Sequence, residues 1–99
     1  MTIHIGGKNY ELLTDYRDGW NLEVFRARYS DVLDRYDYIV GDWGYNQLRL
    51  KGFYHDGHGR NKESCIQYVE DYLYEYCNFG CAYFIIKKVK QKELQKVSQ

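Results

Sequence analysis

Proline is missing altogether from these 99 residues, so no native cis-prolyl bond stands in the way of folding. Cysteine is scarce, at three residues, and an odd number builds no self-contained disulfide framework. Read as reduced thiols, Cys65, Cys77 and Cys81 point to a cytoplasmic protein. Net charge is missing too: 14 Lys and Arg balance 14 Asp and Glu, which removes any general attraction to nucleic acid or an anionic membrane. No segment approaches the ~18 uninterrupted apolar residues of a transmembrane helix. The opening Met1-Thr2-Ile3-His4-Ile5 has neither the charged start nor the apolar run of a signal peptide. No internal repeat or linker divides the chain.

What is present is the balance of a folded domain, with 44% hydrophobic and 28% charged residues. The expectation is one domain over residues 1–89, followed by a polar, lysine-rich tail over 90–99 that frays. Tyrosine, at 12 residues, is the conspicuous excess; its apolar ring and polar tip suit half-buried strands and interfaces. Charge is segregated along the chain. Glu63, Glu70, Asp71 and Glu75 share a stretch with no base, while Lys87, Lys88, Lys90, Lys92 and Lys96 are offset by Glu93 alone.

Alternation of apolar and polar residues predicts a strand at Thr2–Ile5, a reversal at Gly6-Gly7 and a second strand at Lys8–Thr14. Asn21 caps a helix from Leu22 to Ser30, extending toward Leu33, with Leu22, Phe25 and Tyr29 as its core stripe. Asp31–Arg35 reads as a polar connection. Two central strands follow, with Ile39 and Trp43 on one face and Leu48 and Leu50 alternating with Gln47, Arg49 and Lys51. Between them Gly41–Asn46 is a hinge rich in glycine, Asp and Asn. Ser64 caps a second helix that runs to Cys77, and Asn78 or Gly80 ends it in the left-handed conformation. The last strand, Cys81–Val89, is apolar on both faces and therefore interior.

The fold class is thus α+β: a mostly antiparallel sheet of about five strands with two helices on one side, in the order ββαββαβ. Without its first strand the series is βαββαβ, the ferredoxin-like order.

Two stretches are dense enough to act as signatures: Tyr36-Asp-Tyr-Ile-Val-Gly-Asp-Trp-Gly-Tyr45 with Gln47-Leu-Arg-Leu-Lys-Gly-Phe53, and Asp71-Tyr-Leu-Tyr-Glu-Tyr-Cys-Asn-Phe-Gly-Cys-Ala-Tyr-Phe84. In these the chain resembles the YutD-like family of small proteins from low-GC Gram-positive bacteria, over about Ile3 to Val89. The resemblance implies a small cytosolic bacterial domain. It implies no reaction and no functional residues.

Candidate chemistry is sparse. Cys65, Cys77 and Cys81 with His55 and His58 are zinc-compatible ligand types. Their spacing matches no finger, and buried thiols explain them. Cys65 in a helix first turn, with His55 or His58 as base beside Asp56, is the nearest approach to a nucleophile, yet no oxyanion motif accompanies it. Gly57, Gly59, Arg60 and Lys62 precede a helix and offer an anion seat, without a P-loop fingerprint. The expectation is therefore no catalysis, no metal and no cofactor. Asp42, Trp43 and Tyr45 at the hairpin tip, with Arg49 and Lys51 on the return strand, have the aromatic and arginine content of an interface hot spot. The competing role for Trp43 is a lid folded back on the core.

The leading expectation is a non-catalytic cytosolic domain that binds a protein partner through this tip and basic face, as a monomer or weak dimer without membrane contact. The alternative is an RNA-binding domain that uses the same face and the lysine tail.

Overall fold

The computed structural model describes residues 2–5, 7–44, 46–55, 64–76 and 80–89, with Tyr76 given by its backbone alone. The chain opens as a hairpin: β1, Thr2–Ile5, pairs antiparallel with β2, Lys8–Tyr16, and Gly7 between them takes φ +76°. Helix α1, Leu22–Arg28, begins at Asn21, whose side chain accepts from the Val24 amide at 3.1 Å. Strands β3, Tyr38–Gly44, and β4, Gln47–Phe53, follow, then helix α2, Val69–Tyr76, and strand β5, Tyr83–Val89. The predicted order ββαββαβ and the α+β class are both found.

Among the described residues, these five strands form one antiparallel sheet in the order β1-β2-β5-β3-β4. β5 is interior, as its two apolar faces require. The connections β2–α1–β3 and β4–α2–β5 each step over one intervening strand, the split βαβ arrangement, and β1 adds a fifth strand beside β2. One expectation fails here: β3 and β4 are not the central pair. β5 takes the centre, and β4, with Gln47, Arg49 and Lys51 turned to solvent, is an outer edge.

The two helices do not share a side. A strand sends successive side chains to opposite faces, and on β4 this separates Leu48 and Leu50 from Arg49, Lys51 and Phe53. The first set joins a core of Ile3, Tyr10, Phe25, Leu33, Ile39, Phe84 and Ile86, roofed by α1. The second set lies under α2, where the Tyr72 ring meets Phe53 edge-on at 5.6 Å. Each face of the β3–β4 hairpin thus receives its own helix.

Helix α1 buries Phe25 against Trp20 and Phe84, with ring centroids at 5.2 and 5.9 Å. Leu22, expected in that stripe, is 40% exposed; Trp20, just ahead of the helix, fills the space. The supposed polar connection is a 3-10 turn, Asp31–Arg35, capped by Ser30 and pinning Leu33 into the core. Ser64 does not start a helix. Its carbonyl accepts from the Tyr54 amide, Cys65 forms a parallel bridge with Tyr54, and a 3-10 turn, Ile66–Tyr68, leads into α2. Cys65 is buried and outside any disulfide, as a core thiol should be, whereas Cys81 is disulfide-bonded, which corrects the expectation that every thiol is reduced. Of the two residues expected in the left-handed conformation, Gly80 takes φ +88°, and Asn78 lies outside the described residues.

Tyr10 gives the core a pH signature. Its ring is fully buried and its hydroxyl lies 3.4 Å from that of Tyr29; burial, then the Tyr29 hydrogen bond, raises its pKa above the ordinary 10.0. In the unfolded chain the phenol releases its proton near 10.0, whereas the folded chain keeps it. Rising pH therefore favours unfolding, by up to about 1.4 kcal/mol per pH unit. This contribution is intact below pH 10.0 and is lost as pH rises above it. Urea melts at pH 9 and 11 should show a loss of stability that shrinks in Tyr10→Phe; an unchanged loss would place Tyr10 outside the alkaline transition.

Candidate functional site

The glycines of the presumed hinge do not make a loop. β3 continues through Gly44, which pairs with Gln47, leaving positions 45 and 46 to connect the strands. Asn46 takes the expected left-handed conformation at φ +63°; Tyr45 lies outside the described residues. Gly41 is in mid-strand because a Cβ there would stand 2.2 Å from the Phe84 ring. At Gly44 a Cβ would meet the Arg49 guanidinium at 3.2 Å. Both glycines make room for side chains rather than for a turn.

Because β3 is extended through this stretch, Asp42 and Trp43 point to opposite faces. Trp43 lies on the α1 side, packed against the core, with Nε1 donating to the Gly19 carbonyl at 2.7 Å. It is the lid, not part of a tip. Asp42 lies on the α2 side and is fully buried. Its Oδ2 accepts from Arg49 Nη2 at 2.5 Å and its Oδ1 from the Tyr72 hydroxyl at 3.0 Å. A buried carboxylate is tolerable only with such partners. Arg49 is its register partner on β4, and its side chain remains 46% exposed. The guanidinium therefore runs from a buried anion to the surface. Lys51, two residues on, is exposed, with its amine 6.0 Å from the Phe53 ring centroid.

Arg49, Leu50 and Lys51 form one wall of an open groove of about 800 Å³; Tyr68, Asp71, Tyr72 and Glu75 form the other. These four recur at the spacing of a single helical face. They were not among the predicted site residues. Their signal was that spacing, but the apolar stripe of Ile66, Val69, Leu73 and Tyr76 drew attention to a different face of the helix. A second, shallower hollow of about 460 Å³ lies on the α1 side, lined by Val32, Leu33, Leu48 and Leu50 with Arg28, Ser30 and Arg49. Arg49 and Leu50 border both hollows.

Of the five residues singled out by sequence, the fold unites Asp42, Arg49 and Lys51, sends Trp43 to the other face, and leaves Tyr45 outside the described residues. Asp56, Gly57, His58, Gly59, Arg60, Lys62 and Cys77, from which the anion, nucleophile and zinc readings drew, also lie outside them, as does the tail 90–99. His55 is held through its backbone amide, which donates to Asp37 Oδ2 at 2.9 Å. Cys65 sits ahead of α2 rather than in its first turn. Among the described residues no helix is long and apolar enough to cross a membrane.

Residues 4–87 match the family described as "Putative antitoxin YutD-like". A curated protein of Bacillus subtilis (strain 168), "Putative antitoxin YutD", is 53% identical over 90 residues, covering 90% of this chain and 99% of that protein. The solution NMR structure of protein yutD from B. subtilis superposes with a TM-score of 0.78 at 53% identity, covering 91% of this chain and 83% of the other.

Proposed function

The chain belongs to the YutD-like family, and from that premise we propose that it is a non-catalytic cytosolic domain that engages a protein partner through the groove between β4 and α2. The observation that carries this reading is the buried Asp42 beneath Arg49 and Tyr72. It fixes a strand cation and a helix aromatic in one geometry before any partner arrives, and preorganised Tyr and Arg are the side chains on which interfaces concentrate their energy. The name of the B. subtilis relative, "Putative antitoxin YutD", supports a protein partner.

The groove favours protein over RNA. Arg49 and Lys51 alone would attract phosphates, but Asp71 and Glu75 share the groove with them, and carboxylates repel a polyanion while offering partners to a protein of mixed charge. The test is crosslinking of tagged protein in the cytosol of its native host, beside the Lys51→Ala/Tyr68→Ala double variant. The expected result is one specific protein, recovered about tenfold less well by the double variant. Recovery of RNA instead, with binding that collapses by about a thousandfold between low and moderate salt, would overturn the reading.

A further inference from the structure

We propose that the α2 wall of the groove is a seat for an arginine side chain of that protein partner, with the guanidinium lying across the Tyr68 ring and paired with Asp71 and Glu75. The inference rests on the protein-binding reading and names the group that the partner brings.

The charges that line the groove are not equally available. Arg49 is committed: its Nη2 donates to the buried Asp42 at 2.5 Å, and the pair is neutral as a unit. Lys51, Asp71 and Glu75 remain. All three are exposed, and among the described residues none of them forms an ion pair. Lys51 stands on β4 and the two acids on α2, too far across the groove to pair. Two carboxylates on one wall thus face one amine on the other, and a cation entering the groove is drawn to α2.

Glu75 carries the argument further. Acids belong in the first turn of a helix, where Glu70 and Asp71 stand in α2. Glu75 stands in the last turn, at the negative pole of the helix, where a cation belongs and none is found. It also follows Asp71 by four residues, which sets two like charges side by side. The sequence supplies no local remedy, since residues 63–86 contain no Lys, Arg or His. Glutamine would keep the length and the helix propensity without either repulsion. The free protein therefore holds a charge that lowers its stability, and a bound cation would relieve it. Departures from local consistency of this kind are expected where a ligand completes the site.

The aromatic lining selects arginine among cations. Tyr72 is already engaged, with its hydroxyl on Asp42 at 3.0 Å and its ring against Phe53. The half-buried Tyr68 has no ring or cation contact among the described residues. Tyr68, Asp71 and Glu75 recur at i, i+3 and i+7, so ring and carboxylates converge on one strip of the wall. A planar guanidinium lies flat on such a ring while its N–H fork reaches carboxylates at its edge. A lysine ammonium is a compact point charge without that fork. The groove, at about 800 Å³, has room for the side chain.

The probe is N-acetyl-arginine amide, titrated into the full chain and followed by NMR at Tyr68, Asp71 and Glu75. N-acetyl-lysine amide and sodium chloride at matched ionic strength are the comparisons. Saturable shifts confined to the groove are expected, half-complete below about 50 mM. The lysine compound should bind about threefold more weakly or worse, and sodium chloride should give no saturable shift. Glu75→Gln should weaken arginine binding about fivefold or more. It should also raise the melting temperature of the free protein by about 2 °C, because it removes an uncompensated repulsion. Tyr68→Leu should erase the preference for arginine over lysine. Shifts that do not saturate, shifts matched by sodium chloride, or equal binding of the two compounds would each overturn the proposal. So would a lower melting temperature in Glu75→Gln, since the fold would then already hold that charge. The crosslinking experiment separates the two levels. A specific protein that Glu75→Gln captures as well as wild type, while Lys51→Ala/Tyr68→Ala loses it, sinks the arginine seat and leaves the binding reading standing. No specific protein at all sinks both.

Discussion

Arg49→Ala should cost the fold about 2 kcal/mol, far more than an ordinary surface arginine. The reason lies beneath it. Asp42 is fully buried, and its two oxygens are held by Arg49 at 2.5 Å and Tyr72 at 3.0 Å. Removing the guanidinium leaves the buried carboxylate with the Tyr72 hydroxyl as its side-chain donor among the described residues. Breaking a fully buried pair costs roughly 3–5 kcal/mol; because the Arg49 side chain is 46% exposed, water screens part of this, hence the lower figure. Asp42→Asn keeps the hydrogen bond to Tyr72 and removes the charge. In that background, Arg49→Ala should cost under about 0.5 kcal/mol, giving a coupling energy of roughly 1.5 kcal/mol by urea denaturation. Additive single and double variants would mean that the pair seen between β3 and β4 does not hold the charge, and the preorganised groove would lose its foundation.

Gly41→Ala should be the most damaging single methyl in the sheet. The added Cβ would stand 2.2 Å from Cζ of Phe84, a ring that is fully buried and boxed in by Trp20 at 4.9 Å and Phe25 at 5.9 Å between centroids. Neither ring nor strand can retreat without moving the core. Overpacking of this kind costs about 3 kcal/mol, which lowers the melting temperature of a domain this size by roughly 15 °C. Gly44→Ala is the control. Its Cβ would meet the guanidinium of Arg49 at 3.2 Å, the far end of a flexible chain, so it should cost under about 1 kcal/mol. Phe84→Leu should shrink the Gly41→Ala penalty by about 1 kcal/mol or more. Equal, mild effects at both glycines would show that Gly41 is there for backbone freedom after all.

These two cases share a lesson about what was legible. Gly41, Asp42, Gly44 and Asn46 lie within six positions, and turn chemistry alone groups them into a hinge. Only Asn46 keeps that role, with φ +63°. The other two glycines answer to partners far along the chain: Phe84 for Gly41, and Arg49, folded back from the next strand, for Gly44. A glycine needed for backbone freedom and a glycine needed for space are the same letter. Likewise an aspartate between two glycines reads as a turn residue, whereas here it is the buried end of an ion pair. Arg49 and Lys51 were found because alternation places them on one strand face. Tyr68, Asp71, Tyr72 and Glu75 were missed because nothing local says that α2 comes to rest over that face.

By itself the sequence determined the series ββαββαβ, the Asn21 cap, the left-handed Asn46 and Gly80, and the interior place of β5. Each of these depends on neighbours along the chain, through period, capping hydrogen bonds or residue stereochemistry. Tertiary structure alone decided that β4 is an edge, that α1 and α2 take opposite faces, that Trp43 closes the core and that Asp42 is buried under Arg49 and Tyr72. Period-two alternation creates two faces for every strand but does not label them. Which helix covers which face, and which strand is left at the edge of the sheet, is set by how distant segments pack, and the groove exists only once they have.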